Sequence, residues 1–98
     1  MISVRELQLF SGTGTMTNFM AMSQDAYITG TYIQHGSIYA SILWDDSRPH
    51  VNRKFHCVGP FNPISTNPGK RCWYVGTVGV NTSTPDTSYR YYIIEEEI

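Results

Sequence analysis

The chain lacks the runs of Ala, Leu, Glu and Lys that carry helices, which argues against an α-helical or alternating α/β architecture. No stretch approaches the ~20 apolar residues that a membrane-spanning helix requires. The opening MISVRELQLF has neither the basic n-region nor the apolar run of a secretory signal, so the expected compartment is the cytoplasm, with no membrane attachment. There Cys57 and Cys72 are expected to be reduced, and the sequon Asn81-Thr82-Ser83 to be accidental. Charge is scarce. Seven Lys and Arg against eight Asp and Glu leave a net charge of −1, which fits neither a chromatin-type protein nor a polyanion mimic. A phosphate-binding loop is missing, because SGTGT at 11–15 matches neither the P-loop nor the dinucleotide fingerprint. His50 and His56 fall about 20 Å apart along one strand, too far for one metal, so neither metal nor cofactor is expected.

What is present reads as strand from end to end. Tyr, Ile, Val, Thr and Trp recur in short runs separated by Gly, Pro, Asn and Ser, the signature of an all-β chain. Strands are predicted near 2–10, 15–23, 26–34, 37–44, 51–58, 71–80 and 88–97. The clearest hairpin is YITGTYIQHGSIYASILW, its turn centred on His35-Gly36. Period-two alternation then puts Ile38, Ala40, Ile42 and Trp44 on one face of the return strand. The first forty-five residues are expected to form a meander and the last stretch a closing strand, giving one β domain over 1–98. Its expected form is a small antiparallel barrel or sandwich of about six or seven strands, with one long Pro-rich loop at 59–70. A chain of this size buries only about 60–65% of its unfolded surface, so self-association is expected to add stability.

The charges are unevenly distributed. Arg48, Arg53, Lys54, Lys70 and Arg71 lie between Ser47 and Gly76, where no Asp or Glu occurs. Within that segment GPFNPISTNPG carries three prolines, which deplete backbone donors and rule out a central strand. A loop this long is either a binding loop or a flap covering an open part of the sheet. If strands 51–58 and 71–80 pair through it, Cys57 and Cys72 come within about 7 Å between Cα atoms. The four cations at 53, 54, 70 and 71 then gather at the loop's base.

That arrangement points to a concave anion site built from Arg53, Lys54, Phe55, Phe61, Lys70, Arg71, Trp73 and Tyr74. Cations would meet phosphate and rings would stack on a base, although half or more of the rings are equally accounted for as core. Strong polynucleotide binding draws on about six to ten phosphate contacts, so long nucleic acid is expected to bind weakly or not at all. The expected function is a non-catalytic module that senses or sequesters a small nucleotide-like anion: a nucleotide, a cyclic dinucleotide or a short oligonucleotide. Catalysis is disfavoured, since His56 and Cys57 are strand neighbours that point to opposite faces. The competing expectation is a β-structured assembly or protein-interaction module, such as a virion component, a phage accessory protein or an inhibitor of a partner protein. In that case Met16, Met20 and Met22, which share one strand face, serve either as core filler or as an association surface.

Overall fold

The computed structural model describes residues 1–59, 62–79 and 90–98. Phe61, the sequon at Asn81, the polar turn 81–88 and Tyr89 lie outside the described residues. Seven strands are present: β1 (Ile2–Phe10), β2 (Met16–Ser23), β3 (Tyr27–Gln34), β4 (Ser37–Asp45), β5 (His50–Val58), β6 (Cys72–Gly79) and β7 (Arg90–Glu96). They form two antiparallel sheets, one in the order β1-β4-β3 and the other in the order β2-β5-β7-β6. The described residues contain no helix, and so none long and apolar enough to cross a membrane.

Period-two alternation builds the core between the sheets. Ile38, Ala40, Ile42 and Trp44 of β4 are all buried and face Phe55, Cys57, Val78 and Ile93 of the second sheet. Met22 is fully buried, while Met16 and Met20 pack against the same cluster, so the methionine face is core filler. The β3–β4 hairpin turns at His35 and Gly36, both at positive φ (52° and 74°). This is the primed turn whose twist matches that of the strands it joins.

Two expected pairings are corrected. The first forty-five residues are not a meander, because β1 pairs β4 whereas β2 pairs β5 in the opposite sheet. Residues 11–15 carry the chain across the core instead of turning within one sheet. Gly12 and Gly14 adopt positive φ there, a conformation that costs glycine little, and the Gly12 amide donates to Ser37 Oγ at 3.1 Å. Nor do β5 and β6 pair, since β7 lies between them and bonds to both. Cys57 is therefore opposite Ile93 and Cys72 opposite Glu96. Two strand spacings alone separate them by roughly 10 Å, beyond disulfide reach, and both thiols are free.

The sheets approach each other along a seam between β3 and β6, where a bulge separates Tyr74 from Gly76. A Cβ added at Gly76 would collide with the Thr31 side chain, so glycine is required here for close approach. Gly→Ala within a strand ordinarily gains stability through the unfolded chain. Gly76→Ala is expected instead to lower it by about 1–3 kcal/mol, the cost of overpacking. Thr31→Ala in the same chain should recover part of that loss. Denaturant unfolding of the two single variants and the double variant checks this, and additive losses would show that the seam is not the cause.

Candidate functional site

The carboxylates of the C-terminal strand organise the basic segment. Alternation along β7 sends Glu95 and Glu96 to opposite faces of a strand flanked by β5 and β6. Both are buried, so each must find a cation or strong donors. Glu95 takes a bidentate pair from Arg53, Nε and Nη2 both at 2.7 Å, and a third hydrogen bond from Trp73 Nε1 at 3.1 Å. Arg53 Nη1 also donates to the Ala26 carbonyl at 2.6 Å. That guanidinium thus joins β5, β7 and the β2–β3 turn. Just beyond the strand, Glu97 pairs with exposed Arg71 at 3.0 Å.

Glu96 faces outward yet is only 1% exposed. Part of its cover is the segment between β5 and β6, whose Asn67 amide donates to Glu96 Oε2 at 2.6 Å. Asn67-Pro68-Gly69-Lys70 is a tight turn, closed by Lys70 N–H to Asn67 carbonyl at 3.2 Å with Gly69 at φ 80°. Pro followed by a positive-φ Gly is the type II pattern. The other oxygen, Oε1, meets Lys54 Nζ at 3.2 Å and His56 Nε2 at 2.7 Å. On the far side of the ring, His56 Nδ1 lies 2.7 Å from Thr17 Oγ1. The result is a continuous chain from Thr17 on edge strand β2 through buried His56 to Glu96. The Asn67 amide foremost, then His56 and Lys54, hold the Glu96 carboxyl down at about 2.

Of the expected site residues, Arg53, Trp73 and Tyr74 share one cleft, and the other described ones lie elsewhere. Arg53 and Trp73 line a cleft of about 200 Å³ with Ala26, Tyr27, Ile28, Tyr74, Val75 and Glu95, so a carboxylate occupies the position meant for a ligand's phosphate. Lys54 lies on the opposite face of β5, paired with Glu96. Phe55 is fully buried in the core. Arg71 is held by Glu97, and Tyr74 is exposed with its hydroxyl 2.7 Å from Thr77 Oγ1. Lys70 closes the type II turn through its backbone, and no ion pair of its side chain occurs among the described residues. Cys57 faces the core, where burial pushes its thiol up to about 11, and its neighbour His56 points the other way. Among the described residues no group of three His, Cys, Asp or Glu could hold a metal.

Two features escaped the sequence reading. One is the partnership of Thr17, His56 and Glu96, whose members are 39 and 40 residues apart. The other is the outer face of the three-stranded sheet. Val4, Leu43 and Tyr27 are register neighbours across β1, β4 and β3, and Ile2 lies two residues from Val4 on the same face. Ile2, Val4 and Tyr27 are 68%, 65% and 66% exposed. The row runs into a cleft of about 350 Å³ bounded by Ile2, Tyr27, Leu43, Trp44, Asp25 and Arg48. The alternation of Ile2 and Val4 in ISVREL was a visible signal, but sequence alone did not say which face would be covered.

Comparison with protein-family models, curated proteins and solved structures finds no match.

The depressed carboxyl has a consequence in acid. A folded-state value near 2 against an ordinary value near 4.5 means that Glu96 contributes stability above about pH 4.5. That contribution is lost as the pH falls toward 2. Urea midpoints measured from pH 6 to pH 2 should decline most steeply in that window. Glu96→Gln should flatten the decline, and an unchanged profile in that variant would show that the carboxylate is not the titrating support.

Proposed function

We propose that the protein is a β-structured assembly module that associates through the outer face of its three-stranded sheet. The observation that carries this reading is the exposed row Ile2, Val4, Leu43 and Tyr27, continuous with the adjoining cleft. Isolated exposed apolar residues are ordinary on any surface, whereas a contiguous set beside a cleft marks an interaction site. The partner that fits is a second copy of this chain. On this face Glu6 already accepts hydrogen bonds from Ser41 (2.7 Å) and Tyr32 (2.8 Å), so its oxygens are satisfied within each copy. A net charge of −1 also sets little repulsion between copies. Such an interface is isologous, the same patch serving both subunits.

A nucleotide-like ligand remains the competing reading of the basic segment, and it faces a specific obstacle. Arg53, Lys54 and Arg71 are each paired with a carboxylate of the chain itself, so an incoming phosphate must displace Glu95, Glu96 or Glu97. The assembly reading requires no such exchange. Calorimetry against mononucleotides and cyclic dinucleotides separates the two, because binding tighter than about 1 mM would restore the ligand reading.

Sedimentation at 100 μM should show a dimer or larger species, and Leu43→Glu or Val4→Glu should yield a folded monomer whose melting temperature is lower and no longer depends on protein concentration. A wild-type monomer at that concentration would contradict self-association.

A further inference from the structure

The hydroxyl, imidazole and carboxylate of Thr17, His56 and Glu96 stand in one hydrogen-bonded line, and assembly through the other sheet makes no use of them. Their directions follow from donor and acceptor chemistry. An ionised carboxylate only accepts, so in the neutral ring the Nε2 proton lies toward Glu96 at 2.7 Å. Nδ1 is left as an acceptor, and the Thr17 hydroxyl donates to it at 2.7 Å. This is the order in which a base draws a proton from a nucleophilic hydroxyl while a carboxylate fixes the ring. The two ring nitrogens exchange places relative to the serine-protease arrangement, but the proton path is the same.

Access and burial are divided as such a site requires. His56 and Glu96 are buried, whereas Thr17 is exposed on an edge strand. Lys54 and the Asn67 amide hold Glu96 from its other sides. Two residues along the same face lies exposed Phe19, with the Lys54 ammonium 5.6 Å from its ring centre. This offers an apolar surface under positive charge beside the hydroxyl.

We propose that Thr17, His56 and Glu96 form an esterase-type nucleophilic site for small activated carboxylic esters with an apolar acyl group. Thr17 Oγ1 attacks the carbonyl carbon and its proton passes to His56 Nδ1. The ester C–O bond then breaks and the leaving alcohol takes that proton. Water, deprotonated in turn by His56, attacks the acyl-threonine and releases the acid, returning the proton to Thr17. Thr17 and His56 are the catalytic residues, and Glu96 is a positioning residue acting through the ring.

The test is covalent labelling of the intact protein by a fluorophosphonate, in which Thr17 Oγ1 forms the P–O bond and HF leaves, read by intact mass and peptide mapping. One adduct at Thr17 is expected. Thr17→Ser should retain it and Thr17→Val should abolish it, both with wild-type melting curves. His56→Gln should slow labelling at least ~100-fold, the scale of a lost general base. Glu96→Gln should slow it tenfold or more, with partial rescue by Glu96→Asp. No adduct at Thr17 in the wild type, or labelling equally fast in a folded His56→Gln protein, would overturn the proposal. The Thr17 pair decides the matter even if His56 and Glu96 variants fail to fold.

Discussion

The fold depends on neutralising two consecutive carboxylates, Glu95 and Glu96, at the end of its last strand. Glu95 and Glu96 are buried in the middle of a sheet, and a buried carboxylate is tolerable only beside a cation or strong donors. Arg53 and Trp73 serve Glu95, while Lys54, His56 and the Asn67 amide serve Glu96. Those groups belong to β5, β6 and the segment joining them, so β7 lies between the two strands instead of at the edge. The connection from β5 to β6 must then pass over β7, and in doing so it delivers the amide that closes Glu96 from solvent. Topology, burial and charge pairing are one arrangement.

That arrangement changes what the basic segment can do. A basic, aromatic segment suggests a surface waiting for an anion. Here Arg53, Lys54 and Arg71 meet carboxylates supplied from the far end of the same chain. What is left unmatched lies elsewhere, as an apolar row on the three-stranded sheet and a hydroxyl aimed at a buried imidazole. Neither depends on net charge or on a short sequence motif, and both arise only when strands distant in sequence are brought into register.

Local structure was legible in the residues, while the order of strands was not. Period-two alternation located seven strands to within about two residues, put Ile38, Ala40, Ile42 and Trp44 on one face, which is the buried one, and found the His35-Gly36 turn. Alternation reports which face a residue takes but not which strand lies beside it, so the residues alone suggest a direct pairing of β5 with β6 where β7 in fact intervenes. The clue was the charge pattern itself. A segment with cations and no acids, followed by Glu95, Glu96 and Glu97, is what two strands look like when an acidic one must fit between them. The same gap hid the partnership of His56 with Glu96. Sequence proximity offers His56 only Cys57 and His50 as partners, whereas its actual partners come from β2 and β7.

A double-mutant cycle on Arg53 and Glu95 tests the clamp around β7, using Arg53→Met, Glu95→Gln and the combined variant in equilibrium unfolding. Two groups in bidentate contact at 2.7 Å across β5 and β7 should show a coupling of about 2–3 kcal/mol, at the upper end for contacting residues. The same cycle on exposed Arg71 and Glu97 should give a much smaller coupling that added salt removes. A coupling below about 0.5 kcal/mol between Arg53 and Glu95, the level of independent sites, would contradict an acidic strand clamped between basic neighbours.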